Sequence, residues 1–489
     1  MSKKVVVIGA GFGGLSAAAM LAKQGHEVHV FEKNSNPGGR TNVYHADGFK
    51  FDMGPSWYLM PDAFETFFKQ FDKSPSDYYQ LIKLDPAYKV YFSDNESIVV
   101  KPDIDYMADE FEKLEKGAGA KFKKHMLKMK KKYELAVPRF LLKDYSNPTE
   151  LLDMEIFKHA LSLELTNSYH SSIAKSFKSP KIQKILEFMA VFLGGSPYKL
   201  PGLYNLINWA DFGLNVYYPQ GGFFEVSKGL EKLAKELGVT PHYNKPVSEI
   251  VVENGKTKGI VAGGEMIEAD LVVANADYQF VEEKLLKEEY RQYAPSFWEK
   301  ADMSPSGVCI FLGLNKTIPN LTHHTMVFSE GWENHFESIE KGQMPDSPQY
   351  YISTPSKTDE SVAPEGKENI FILVPISPYL TDNEDNREKI FDYVMEDIKK
   401  KIGVDIRKHI LHKRIFAQND FINEYNAYKG NAFGLGHTLK HSITFRPPNK
   451  HKKVKGLYFV GQYTNPGTGT PLVLLSGILV SQLVQKYEK

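Results

Sequence analysis

The sequence predicts an α/β fold, and two observations carry that expectation. The first is "VVVIGAGFGGLSAAAMLAKQGHEVHVFEKNSNPGGR", Val5 to Arg40, which reads as a buried strand, a glycine turn, a helix and a second strand. The second is size. With 489 residues, 42% hydrophobic and 25% charged, the chain can bury a large core and form two or three domains.

Sixty basic and sixty acidic side chains cancel, so no global field attracts nucleic acid, which is not expected as a partner. Cys309 is the only cysteine. An internal disulfide and a thiolate metal cluster are therefore excluded, and a reducing cytoplasm fits. "MSKK" leads directly into the first strand, so no secretion signal is expected. The longest apolar stretch, "PLVLLSGILVSQLV" from Pro471 to Val484, falls short of the roughly 20 residues that cross a bilayer. No membrane span is expected.

Val5 to Ile8 are all β-branched, the pattern of a parallel strand buried on both faces. Gly9, Gly11 and Gly14 follow at GxGxxG spacing, and Leu15, Ala18, Ala19 and Ala22 then repeat with helical period. The three glycines meet different needs, with Gly9 making the tight turn, Gly11 admitting close approach of backbone to a pyrophosphate, and Gly14 allowing the helix to pack on the strand. Glu32 ends the second strand, where a carboxylate accepts hydrogen bonds from a ribose diol and repels a 2′-phosphate. The bound group is thus a dinucleotide. The motif alone leaves FAD and NAD both open.

"NPGGR", Asn36 to Arg40, adds two glycines that admit close backbone approach and an arginine suited to phosphate. This arrangement resembles FAD proteins of the amine oxidase and phytoene desaturase superfamily. Further matches follow in order: "GFKFDMGPSWYLMPD" (Gly48 to Asp62), "YYPQGGFFEVSKGLEKLAKELGV" (Tyr217 to Val239), "ADLVVANAD", "YISTPSKTDESVAPEGKENIFILVP" (Tyr351 to Pro375), "FRPPNK" (Phe445 to Lys450) and "GLYFVGQYTNPGTGTPLVLLSG" (Gly456 to Gly477). Together they resemble the bacterial-type phytoene desaturases and related carotenoid oxidoreductases over nearly the whole chain.

The resemblance implies FAD, held by Gly9, Gly11, Gly14, Glu32, Lys33, Gly38, Gly39, Arg40, Gly54, Pro55, Ser56, Val247, Gly461, Thr470, Pro471 and Leu472. Thr470 and Leu472 depart from the residues common in phytoene desaturases, and "PSWYLMPD" is more aromatic than usual. Both departures bear on the substrate more than on the class. The implied architecture is a discontinuous Rossmann-like FAD-binding domain (1–70, 221–278, 445–489), a mixed-sheet substrate domain (71–105, 279–444) and a helical, membrane-associating lid (106–220). Helices in that lid are expected to be interrupted at Pro138, Pro148 and Pro180.

The implied activity is carotenoid desaturation: a hydride leaves one allylic carbon, a proton leaves its neighbour, and a conjugated polyene lengthens by one double bond. The substrate is lipid-soluble, either phytoene-like or a hydroxycarotenoid for 3,4-desaturation. Family alternatives are polyene isomerisation and terminal-methyl oxidation. An amine oxidase and a non-catalytic prenyl-protein chaperone share the nucleotide fold. No second GxGxxG follows a strand, so oxygen or a quinone is the expected electron acceptor.

Aromatic faces can stabilise a polyene cation. Among Trp57, Tyr58, Trp209, Phe212, Tyr217, Tyr218, Tyr350 and Tyr351, each is singly an ordinary core candidate, and Trp57 and Tyr58 are the pair expected to bind substrate. His323 and His324 sit side by side on a strand, so one is expected to pack and the other to face solvent. "HTLKH", His437 to His441, lacks the glutamate of HExxH, and no metal is expected. Asp211, Glu225 and His324 all remain open as proton acceptor. No GxSxG elbow supports hydrolysis. Two segments could reach a membrane surface: "KFKKHMLKMKKKY" (Lys121 to Tyr133), as a basic amphipathic helix or simply a solvated face, and the apolar stretch Ile185 to Tyr218, as substrate entrance or buried lid. The protein is therefore expected in the cytoplasm, peripherally bound to a membrane.

Overall fold

Val5, Val6 and Val7 have no exposed surface, because Lys4–Ile8 is the central strand of a five-stranded parallel sheet. Its order is Leu457–Phe459, Leu271–Ala274, Lys4–Ile8, Glu27–Phe31, Thr240–His242. The structure, a computed structural model, describes residues 2–93, 96–143, 145, 164 and 167–488. The helix Phe12–Lys23 crosses between the first two strands. The C-terminal helix Thr470–Tyr487 lies against it at very short range. A Cβ on Gly477 would stand 2.2 Å from Ser16 Oγ, and that hydroxyl instead donates to the Leu474 carbonyl at 2.6 Å. Only a residue without a side chain allows this approach.

A three-stranded antiparallel sheet (Val247–Glu253, Lys256–Ala262, Glu265–Glu268) is inserted before Leu271–Ala274. Beside it stands a seven-stranded mixed sheet in the order Ile410–Phe416, Ser306–Leu314, Glu368–Ile376, Tyr350–Ser353, His324–Val327, Tyr88–Ser93, Glu96–Val100. Among its described residues the only parallel pair joins His324–Val327 to Tyr88–Ser93.

Strand alternation gives this sheet two different faces. Val308, Ile310, Leu312, Ile370, Ile372 and Val374 pack with Ile390, Val394, Met395 and Ile398 of the helix Glu384–Ile402. Cys309, Phe311, Met326, Tyr351 and Phe371 join the other core, which also holds Phe51, Trp57 and Phe188. The face away from the helix is the one that meets the candidate site.

Helices Ile104–Leu114, Ala118–Phe140, Tyr169–Ala174 and Pro180–Glu187 cover this side. Of the three expected proline breaks, the one at Pro138 differs in the structure: the helix Ala118–Phe140 runs through it, with the proline in its last turn. The break at Pro180 holds, because residues 175–179 separate the helix Tyr169–Ala174 from Pro180–Glu187, which starts on the proline, a first position that needs no N–H partner. Pro148 lies outside the described residues. No described helix is long and apolar enough to cross a membrane.

Candidate active site

The turn after the first strand is glycine-rich for steric reasons visible in the backbone. Gly9 has φ +97°, and a Cβ on Gly14 would lie 2.1 Å from the Gly9 carbonyl oxygen. Asn275 fills the space beside this turn. Its side chain approaches to 2.8 Å of where a Cβ on Gly11 would be, 2.7 Å for Gly13 and 3.1 Å for Gly461. It also donates from Nδ2 to the Gly9 carbonyl at 3.4 Å. The sequence does not single out Asn275 as a site residue, although it stands within "ADLVVANAD".

Glu32 is buried directly after its strand. One carboxylate oxygen accepts from Ala10 N–H at 2.8 Å and the other from Asn34 N–H at 2.9 Å. Burial raises its pKa and the backbone donors oppose that rise. Each oxygen keeps acceptor capacity for a ribose hydroxyl. Lys33 turns elsewhere: its ammonium bonds the Asn423 carbonyl at 2.7 Å and Asn426 Oδ1 at 3.3 Å.

Gly38 and Gly39, at φ +103° and +58°, bring the second glycine loop against the first, and Gly38 N–H donates to the Ala10 carbonyl at 2.8 Å. Arg40 follows. Its guanidinium stands 5.4 Å over the Tyr425 ring, and its buried Nε has no hydrogen-bond partner among the described residues. A Cβ on Gly54 would meet the Arg40 carbonyl oxygen at 2.3 Å, so Gly54, Pro55 and Ser56 run close beside this arginine. Gly461 ends the last strand's exit, its N–H held by Ser476 Oγ at 3.0 Å. Thr470, Pro471 and Leu472 form the first turn of the C-terminal helix, entered through Gly469 at φ +100°. Val247 opens its antiparallel strand. An open glycine cradle, a buried unpaired guanidinium nitrogen and a carboxylate with spare acceptor sites fit the diphosphate and ribose of FAD.

Two carboxylates clamp the turn at Gly221 and Gly222. Asp52 accepts from Phe223 N–H at 2.8 Å, and Asp359 accepts from Gly221 N–H at 2.6 Å and Tyr218 Oη at 3.2 Å. A Cβ on Gly222 would lie 2.8 Å from Asp52 Oδ1. Burial pushes the Asp52 carboxyl up to about 6. Three motifs that are distant in sequence thereby meet at one turn.

Beyond Ser56 opens a cavity lined by Phe188, Val191, Phe192, Met326, Phe328, Trp332, His335, Phe336, Gln349, Tyr350, Tyr351, Leu373 and Pro375. Trp57 is packed against its wall, with ring centroids 5.5 Å from Phe192, 5.8 Å from Phe188 and 6.1 Å from Tyr351. Tyr58 turns the opposite way. Its ring stacks on Phe64 at 4.2 Å and its hydroxyl meets Tyr79 Oη at 2.9 Å, as consecutive residues of an extended backbone must diverge. The lining segment Phe188–Phe192 belongs to the stretch read as substrate entrance or buried lid.

His323 and His324 are both buried, against the expectation that one faces solvent. The wall around them explains it. His323 Nδ1 meets Thr358 Oγ1 at 2.7 Å, and His324 stacks on Trp57 at 4.5 Å while its Nδ1 lies 2.7 Å from Tyr351 Oη. Burial holds both rings well below the usual histidine range. His437 and His441 have separate partners, the Leu193 carbonyl and the Asp302 N–H. Asp211 accepts from Tyr88 Oη at 2.8 Å and is pushed up to about 7 by burial. Glu225 pairs with Lys50 at 3.0 Å. His335 and Gln349 are site residues that sequence reasoning misses, because neither lies in a motif.

The model of the flavin containing amine oxidoreductase family matches residues 12–485. A carotenoid 3,4-desaturase of Haloarcula japonica is 43% identical over 475 residues, 97% of this chain and 96% of the relative. A zeta-carotene-forming phytoene desaturase of Myxococcus xanthus is 33% identical over 98% of this chain and 93% of its own length. Among solved structures, an oxidoreductase from Methanosarcina mazei superposes with TM-score 0.66 at 20% identity, covering 98% of this chain and all of the other, which shows the fold. The chain therefore belongs to the flavin-containing amine oxidoreductases, and within them to the FAD-dependent carotenoid desaturases of the phytoene desaturase type.

Proposed function

We propose that this FAD-dependent oxidoreductase introduces double bonds into a lipid-soluble carotenoid held in the aromatic cavity beyond Ser56. The observation that carries this reading is the position of that cavity: Tyr351 lines it and is bonded to Ser56, the end of the glycine-flanked segment beside Arg40. When bound, FAD supplies the acceptor for the hydride. The chain's own groups do the rest. The apolar wall excludes water and aligns the polyene, and the faces of Trp57, Phe188 and Phe192 stabilise positive charge spread along it.

The proton on the neighbouring carbon needs a base. Glu225 is engaged with Lys50, and Asp211 is bonded to Tyr88 behind Trp57. His324 alone of the three is joined to a cavity-lining hydroxyl, 2.7 Å from Tyr351 Oη. The cation left by hydride loss is acid enough to pass its proton through Tyr351 Oη to His324 Nδ1, although burial keeps that ring weakly basic.

The same reading assigns FAD to the sixteen residues from Gly9 to Leu472 that the family resemblance implies, with Lys33 contributing only backbone since its ammonium is bonded elsewhere, keeps the three-domain division, and takes oxygen or a quinone as final acceptor. On it the protein sits at the cytoplasmic surface of a membrane, bound peripherally. In the helix Ala118–Phe140 the apolar residues Phe122, Met126 and Met129 are buried, so this face is not free for lipid. Lys121, Lys123, Lys124, Lys128 and Lys131 remain exposed around Leu127, which is 62% exposed. Such a face suits anionic headgroups.

The test follows flavin absorbance anaerobically after FAD-loaded protein is mixed with liposomes carrying phytoene or a hydroxylated carotenoid. Bleaching of the flavin with new or longer-wavelength polyene bands is expected with at least one of them. A flavin that binds and stays oxidised with every carotenoid would overturn the assignment.

A further inference from the structure

His324 receives a proton on the reading above and has no exposed surface, so it can act again only if that proton has a way out. His323 stands beside it. Their ring centroids are 4.5 Å apart at 75°, with the edge of one ring toward the other. His324 Nδ1 accepts from the Tyr351 hydroxyl at 2.7 Å, which leaves the neutral ring's proton on Nε2. His323 Nδ1 donates to Thr358 Oγ1 at 2.7 Å, which leaves its Nε2 a bare acceptor. Both Nε2 atoms are buried without a hydrogen-bond partner among the described residues. One is thus a donor and the other an acceptor, on adjacent rings. Three more buried atoms in the surrounding wall are unpartnered among the described residues: Ser353 Oγ, Thr354 Oγ1 and Trp57 Nε1. Burial raises the Tyr351 phenol, and Ser353, Ser56 and Trp57 oppose that rise, so Ser353 and Trp57 serve the Tyr351 side. Thr354 stays with the histidines, its N–H bonded to the His323 carbonyl at 2.7 Å.

Buried polar atoms without partners are rare, and a donor and an acceptor on neighbouring rings are what a single bridging water completes. From His323 the route leads outward. Thr358 is half-buried and is followed within two residues by the exposed Glu360. Asp359 is the charged group that acts on His323: against burial, donors from Ser361, Gly221 and Tyr218 hold its carboxyl below the usual range, and its charge favours a proton on His323. Tyr218 packs against the His323 ring at 4.6 Å and bonds Asp359 at 3.2 Å. We propose that His323 and Thr358 form the exit by which the proton taken up at His324 reaches solvent. The His324 Nε2–H bond breaks as a proton joins His323 Nε2 through the bridging water. The His323 Nδ1–H bond then breaks as its proton leaves through Thr358 Oγ1 to bulk water. Weak basicity suits this task, because neither buried ring keeps the proton between steps. The inference rests on the desaturase reading, with Tyr351 and His324 as its base. His323 and Thr358 act through His324, as positioning residues for its proton.

The test mixes FAD-loaded full-length protein anaerobically with liposomes carrying a carotenoid that bleaches the wild-type flavin. Two signals are followed together, flavin absorbance and the colour of a pH-indicator dye in lightly buffered solution. In wild-type protein one proton is expected in solution for each flavin bleached, in step with the bleaching. His323→Phe keeps a ring against Tyr218 and cannot carry a proton, so proton release should lag the variant's own bleaching by at least about tenfold. Thr358→Val keeps the shape of the residue without its hydroxyl, and should show the same lag in smaller measure, about threefold. A packing role for His323 would slow both signals together or neither. Proton release that keeps pace with bleaching in both variants would overturn the proposal and leave the desaturase reading standing. A wild-type flavin that no carotenoid bleaches would overturn that reading and the exit with it, so the wild-type protein alone tells the two failures apart.

Discussion

Tyr351 Oη lies 2.7 Å from His324 Nδ1 and 2.8 Å from Ser56 Oγ, so one phenol ties a strand of the seven-stranded sheet to the segment that passes Arg40. Tyr351→Phe keeps the ring in the cavity wall and removes only the hydroxyl. It should cost about 1–3 kcal/mol of stability, because two buried groups lose their shared partner. Flavin bleaching by carotenoid should slow by about 10²-fold if the hydroxyl carries the proton. FAD affinity should not change. Stopped-flow bleaching well below the melting temperature separates the roles, since a purely structural hydroxyl would leave that rate intact.

Arg40 Nε is buried without a partner among the described residues, beside the two glycine loops. Arg40→Lys retains the charge and loses the planar fork that pairs with phosphate. FAD should bind at least about tenfold more weakly, a loss of about 1.4 kcal/mol. Equilibrium dialysis of apoprotein against FAD reads this directly. Affinity unchanged by the substitution would remove Arg40 from the cofactor site.

Asp211 contributes a pH dependence of defined sign. Burial raises its folded pKa from 3.8 to about 7, with the Tyr88 hydrogen bond opposing the rise. Between those values the folded protein holds a proton that the unfolded chain has released. Its contribution is therefore complete below about pH 3.8 and is lost as pH rises through about 7, by at most about 1.4 kcal/mol per pH unit. Asp211→Asn keeps an acceptor for Tyr88 and has no proton to lose. The melting temperature of the variant relative to wild type should climb from pH 4 to pH 7. A constant difference across that range would show that Asp211 titrates normally.

Lys124 and Lys131 lie on the exposed face of Ala118–Phe140. Reversing both to glutamate should weaken binding to anionic vesicles by more than about tenfold, at roughly 1 kcal/mol for each lysine near a charged surface. Vesicles of zwitterionic lipid should show no change. Sedimentation with the two lipid compositions distinguishes headgroup attraction from apolar insertion, which would respond equally to both.

The parts of the fold that can be read from sequence are those written within a few dozen residues. Val5 to Ile8, the three glycines and Glu32 belong to one continuous unit whose geometry each residue type supports by itself. The clamp on Gly221 and Gly222 cannot be seen there. Asp52 and Asp359 are 307 positions apart and look like ordinary surface acids until the turn brings them together. Trp57 and Tyr58 have equal standing as neighbours, and only the backbone shows that one meets the cavity wall while the other meets Tyr79. One of His323 and His324 is expected to face solvent because strand alternation assumes an open face, and on the His323 side Tyr218 and Thr358 close it. His335 and Gln349 line the cavity from segments that no motif marks, so only the folded chain brings them to it.

The parallel sheet that carries the glycine turn has its edge at Leu457–Phe459, and the helix packed on Phe12–Lys23 ends at Tyr487. During synthesis the first strand leaves the ribosome hundreds of residues before either partner exists. The nascent chain therefore carries Gly9, Gly11 and Gly14 exposed, without Asn275 or Gly461 to close the cradle, for much of its translation. Cofactor loading is consequently a late event that follows synthesis of the last helix, and a messenger truncated by even that helix should yield colourless protein however complete its nucleotide motif.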